Sequence, residues 1–142
     1  AQVVSFVRVA VSMALTVPLG WWATLAHLGF LSAGWVYNVG LKATPASVFA
    51  YVVGFGLLPC VVTLALPDPR LPAAWVVAVG VLLGVAAHFA NVLPDAEGDR
   101  LWGSRGLPQL AGKKISIAVI VIAVMLSGVV ALLGFSGRLL LA

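Results

Sequence analysis

Two aspartates four residues apart, Asp95 and Asp99, lie in the polar stretch Leu93-Pro94-Asp95-Ala96-Glu97-Gly98-Asp99-Arg100, at the end of a long apolar run. The chain has four acidic residues, and three of them fall in this stretch. Carboxylates gathered at the rim of an apolar segment suit a hard divalent cation and, through it, an anionic substrate. Mg²⁺ takes one or two carboxylates, keeps several waters and completes its shell with phosphate oxygens. His88, Asn91, Asp95 and Asp99 recur at i, i+3, i+7 and i+11. At about 100° per residue they share roughly 80° of one helical face. The condition is a helix that continues through, or restarts at, Pro94, which lacks a backbone N–H. The two aspartates then stack one turn apart and read as a clamp for a metal-bound diphosphate, with His88 facing a cavity beside them. The plainer reading is a solvated polar loop.

The elements that must carry these residues follow from composition. Of 142 residues, 63% are hydrophobic and 8% are charged, and the mean hydropathy is +1.16. A soluble domain has about 25% charged residues, so this chain has too few to cover a surface in water. The lipid bilayer is the expected solvent. A bilayer-crossing helix needs about 20 apolar residues. Residues 21–37, 46–66, 73–92 and 115–135 qualify, and 3–17 is a shorter run that carries Arg8. Backbone groups in lipid must be satisfied within the segment, which favours helices. The fold class is therefore all-α integral membrane: one transmembrane domain over 1–142, with about five helices. The formal net charge of +4 is too small for a nucleic-acid partner. Cys60 is the only cysteine and is expected to be a packed thiol.

Four crossings put the connections 38–45 and 93–114 on one side of the membrane. Lys42, Arg100, Arg105, Lys113 and Lys114 share that side, against Arg70 and Arg138 on the other. The side richer in Lys and Arg is expected to be cytoplasmic, which places Lys42 with the aspartates. Lys42 reads either as a substrate contact or as a snorkelling lysine. Arg100 and Arg105 suit diphosphate contacts and headgroup anchors equally. His27, mid-span, is expected to be an interhelical hydrogen-bond partner. Gly80 and Gly84 form a small-xxx-small pair that permits close helix packing. Residues 101–114 mix Trp102, Leu107 and Leu110 with glycines and cations, and read either as a mobile lid that caps the site or as an amphipathic interfacial segment with no gating role.

The run Asn91-Val92-Leu93-Pro94-Asp95-Ala96-Glu97-Gly98-Asp99-Arg100-Leu101-Trp102-Gly103, followed by Gly106-Leu107-Pro108 and Gly112, resembles the second aspartate-rich motif of the UbiA superfamily of intramembrane prenyltransferases. Upstream, Tyr37-Asn38-Val39-Gly40-Leu41-Lys42 resembles the Tyr…Lys motif of the same family. The resemblance implies a nine-helix bundle around a central cavity. It implies Mg²⁺-dependent transfer of a prenyl group from a polyprenyl diphosphate to an aromatic or other lipophilic acceptor. Under it, Asp95 and Asp99 are metal ligands and Lys42 and Tyr37 are the catalytic pair, Lys42 on the diphosphate. Asn91 lines the cavity. The family's first motif, NDxxDxxxD, has no counterpart, since no acidic residue precedes Asp68. The chain is then expected to be an interior portion of the bundle, in a bacterial cell membrane with the site on the cytoplasmic side. The competing expectation is a non-catalytic multi-pass protein, a small transporter or scaffold subunit, with the polar loop as a docking site.

Overall fold

The computed structural model describes the backbone of residues 2–101, 103 and 105–139, and the side chains in that range other than those of 2, 3, 97, 99, 100, 138 and 139. Helices α1 (Gln2–Thr16), α2 (Trp21–Val39), α3 (Ser47–Leu64), α4 (Ala74–Val92), α5 (Ala96–Leu101) and α6 (Leu107–Leu139) follow one another, with no strand among the described residues. Short 3₁₀ turns at Val17–Leu19 and Leu41–Ala43 flank α2.

Among the described residues, three helices are long and apolar enough to cross a membrane: Ser47–Leu64, Ala74–Val92 and Leu107–Gly137. Hydropathy alone leads to an expectation of four long runs. The helix below the threshold is α2, where Trp21, Trp22, His27, Trp35 and Asn38 lower the hydropathy of 19 residues. The short α1 belongs to an apolar helical stretch over Val4–Leu19. Six apolar residues and seven polar ones are buried among the described residues, while large side chains such as Leu132, Leu133 and Met125 are exposed. An interior no greasier than the exterior fits lipid as the solvent.

The helices pack in series: α1 on α2, α2 on α3, α3 on α4 and α4 on α6. The α3–α4 contact depends on missing side chains. A Cβ at Gly80 would lie 2.5 Å from the Phe55 carbonyl oxygen, and one at Gly84 would lie 2.6 Å from that of Tyr51. Pro59, inside α3, has no N–H to offer the Phe55 carbonyl. That carbonyl is turned instead onto Gly80. The small-xxx-small pair is thus the seam between α3 and α4. On the far side of α4, Trp75 lies over Gly134 of α6, with no room for a Cβ between them. Ser116, Ala123 and Ser127 are the buried small residues of α6.

α1 and α2 are joined by a bend that needs Gly20 at φ 117°, a region costly for residues with a Cβ. The Thr16 hydroxyl and His27 Nδ1 then meet at 2.7 Å across the two helices. His27 is the interhelical partner expected of it. Thr16 Oγ1 also lies 2.8 Å from the Ser12 carbonyl. With its single hydrogen donated there, it accepts from the imidazole N–H.

Candidate functional site

Pro94 ends the run that leads to the aspartates. α4 stops at Val92, and the chain turns through Leu93–Asp95, where the Asp95 N–H donates to the Val92 carbonyl at 3.2 Å. A new helix, α5, starts at Ala96. Of the two courses expected at Pro94, continuation or restart, the chain takes the second, and the turn separates His88 and Asn91 on α4 from Asp99 on α5. His88 is fully buried, whereas Asn91 and Asp95 are exposed. Of the loop's three acids, Asp95 is the one with a described side chain. The backbone of Asp99 lies on α5, but its side chain, with those of Glu97 and Arg100, is outside the described residues, as is Trp102 entirely. The expected stacking of the two carboxylates therefore falls outside the description.

The two connections expected on one side of the membrane touch each other. The Arg105 N–H donates to the Ala43 carbonyl at 3.0 Å, and a Cβ on Gly106 would lie 3.5 Å from the Lys42 carbonyl oxygen. Lys42 and Arg105 thus leave adjacent backbone segments, and both are exposed. The connection 93–114 is not a structureless loop. It holds α5 and the first turn of α6, where Gly106, Pro108 and Gln109 are buried. A lid of the whole stretch 101–114 does not agree with this. The part from Gly106 to Gln109 is packed into the fold, because it lies on the Lys42–Ala43 backbone.

Gly112, at φ 77°, breaks α6 and restarts it at Lys113. The restart shapes a hollow of about 440 Å³ whose walls include Pro94 and Ala96, which flank Asp95, together with Gln109 and Lys113. Lys113, expected to act on topology alone, thus faces the aspartate turn. Gly112 immediately before the Lys113-Lys114 pair was the signal in the sequence.

A second hollow, of about 520 Å³, lies between α2, α3 and α4. Tyr37 and Asn91, both expected near a cavity, line it, with Asn38 and Tyr51. His88 does not line it. It lies in the protein interior, with its Nε2 3.1 Å from the Ser47 hydroxyl. Its ring is packed by Tyr51, Phe89 and Tyr37 at centroid distances of 5.0, 5.7 and 6.2 Å. The cavity role expected of His88 thus belongs to its neighbours, and the histidine supports them. Ser47, which sequence reasoning missed, opens α3 straight after the Lys42 turn. The Ser47–His88 bond therefore ties the Lys42 side of the site to the helix that leads to Asp95.

Ser47→Ala leaves a buried imidazole nitrogen unpaired, which costs about 1–3 kcal/mol. We expect a lower unfolding midpoint in detergent, partly restored when His88→Leu is added. Equal midpoints for Ser47→Ala and the unchanged protein would mean that this bond contributes nothing.

Comparison with family models, with curated proteins and with solved structures finds no match to this chain.

Proposed function

We propose that this chain carries part of the active site of an intramembrane prenyltransferase of the UbiA type, within a bundle of about five membrane helices here. The single observation that carries the reading is the meeting of the Lys42 turn with the Arg105 segment. Two stretches 63 residues apart, singled out separately for diphosphate chemistry, share a backbone hydrogen bond. The resemblance of residues 37–42 and 91–112 to the two family motifs adds to it.

Among the described side chains, the donor toward a hard cation is one carboxylate. Asp95 is an exposed carboxylate beside a hollow lined by Lys113, and Mg²⁺ accepts such a site with water and phosphate oxygens in its remaining positions. Asp95 and Asp99 would hold the metal. When bound, the metal acts as a Lewis acid that offsets the charge developing on the leaving diphosphate. Lys42, Arg105, Arg100 and Lys113 would neutralise the remaining phosphate charge from the protein side. Tyr37 and Asn91 line the uncharged hollow beside this end, where an acceptor is kept from bulk water. The orientation with most Lys and Arg inward puts this end on the cytoplasmic side.

The reading is tested by binding of a non-hydrolysable prenyl thiolodiphosphate to the whole encoded protein in nanodiscs. Retention should require Mg²⁺ and should fall in Lys42→Ala. Equal retention with a chelator present, or none at all, would refute the diphosphate site.

A further inference from the structure

α3 ends far from the Lys42 turn. Its 18 residues rise about 27 Å at 1.5 Å each, and the chain returns into α4 through residues 65–73. Three prolines, Pro67, Pro69 and Pro72, stiffen this connection. Pro67 stands four residues after Thr63 and has no N–H for the Thr63 carbonyl. The Arg70 N–H reaches that carbonyl instead, at 3.4 Å. The connection thereby folds back over the end of α3 and leaves a hollow of about 590 Å³ beside the start of α4. Leu66, Leu71 and Val76 give it apolar walls, and Asp68 and Arg70 give it a charged rim.

Asp68 and Arg70 are both exposed and paired with each other. Arg70 Nε donates to Asp68 Oδ2 at 2.8 Å, and Nη2 donates to the same oxygen. Asp68 Oδ1 and Arg70 Nη1 have no partner among the described residues. An acceptor oxygen and N–H donors therefore remain side by side. A lone anion at Arg70 meets the Asp68 carboxylate, and a lone cation at Asp68 meets the guanidinium. A ligand of one sign thus gains little from the pair. A headgroup that carries both charges satisfies both groups at once. Phosphate oxygens suit the guanidinium fork, and a primary ammonium donates N–H bonds to a carboxylate. A quaternary ammonium has no N–H, and its usual partner is an aromatic cage. No aromatic side chain is among the described residues that line this hollow.

We propose that this hollow holds a phospholipid of the phosphatidylethanolamine class, with its phosphate at Arg70, its ammonium at Asp68 and the top of one acyl chain against Leu66, Leu71 and Val76. The helices on either side, α3 and α4, are both long and apolar enough to cross a membrane, so the hollow lies at the bilayer rim, among the headgroups. The prolines set the rim in place beforehand, which lowers the cost of ordering it on binding. The site is one span away from the diphosphate residues and does not depend on the prenyltransferase reading.

The test is native mass spectrometry of the protein released from nanodiscs of equal parts phosphatidylethanolamine, phosphatidylcholine and phosphatidylglycerol, with matched acyl chains. Retained phosphatidylethanolamine should exceed each of the others by about threefold to fivefold, the size open to exposed charge pairs. Asp68→Asn should bring it down to the level of phosphatidylcholine and raise phosphatidylglycerol, since Arg70 then has no countercharge. Arg70→Gln should lower phosphatidylethanolamine and phosphatidylcholine together. Both side chains are exposed, so neither change disturbs packing. Arg8→Gln, at an exposed cation on α1, should keep the preference. Equal retention of the three lipids would overturn the proposal, and so would a preference that Asp68→Asn leaves unchanged. Displacement by an equal amount of glycerophosphoethanolamine, the headgroup without acyl chains, would remove the lipid as the occupant.

Discussion

Asp95→Ala, made in the whole encoded protein, is expected to lower prenyl-diphosphate turnover by about a hundredfold to a thousandfold while leaving membrane insertion unchanged. The size follows from what a bound cation supplies: several kcal/mol of stabilisation for a leaving group that gains charge, at about 1.36 kcal/mol per tenfold in rate. Asp95 is exposed and lies in the turn between α4 and α5, so its replacement removes no packed side chain. A loss of activity would therefore report on chemistry and not on folding. Asp95→Asn separates charge from shape, because it keeps the volume and one acceptor oxygen but not the negative charge that holds Mg²⁺. It should lose nearly as much. Turnover in either variant equal to that of the unchanged protein would remove Asp95 from the metal site.

The second large effect is structural. Gly84→Val places a branched side chain where the Tyr51 carbonyl oxygen and the Phe55 Cβ lie 2.6 and 3.0 Å from the first added carbon. Both belong to α3, and a backbone carbonyl in a helix cannot rotate aside. α3 and α4 must separate, and overpacking of this kind costs about 1–3 kcal/mol. The seam also positions Tyr51 against His88, so loosening it moves one wall of the hollow between α2, α3 and α4. The variant should unfold at a clearly lower temperature in detergent, as read by loss of the monodisperse peak on heating. Gly128→Val, with no neighbour to strike, should match the unchanged protein. Equal midpoints for the two variants would mean that α3 and α4 do not meet at these glycines.

Much of the scaffold could be read from hydropathy. The runs 46–66 and 73–92 became Ser47–Leu64 and Ala74–Val92, because a long apolar segment in lipid has few alternatives to a helix, even with Pro59 inside the first. The glycine seam and the His27 partner were legible for similar reasons. A buried polar ring needs a partner, and paired small residues invite a close neighbour. The placement of His88 was not legible. Its periodicity with Asn91, Asp95 and Asp99 says which residues could share a face but not how far the chain turns at Pro94, nor that Ser47 of α3 covers the ring. Ser47 could not be found either, since its partner is 41 residues away and a serine opening a helix has many uses. The first turn of α6, Leu107–Ala111, was hidden because its mixed composition looks like loop until Gly106 is set against the Lys42 backbone.

Those same contacts define the central claim, that the Lys42 turn and the Asp95–Arg105 segment form one site for a metal-bound diphosphate. The most direct measurement is pyrophosphate release from a polyprenyl diphosphate by the whole encoded protein in proteoliposomes, followed as Mg²⁺ is removed and restored. The account predicts release that stops with chelation and returns on adding Mg²⁺. Release that persists undiminished without divalent metal, or no release at any Mg²⁺ concentration with neutral and anionic ring acceptors both supplied, would contradict it.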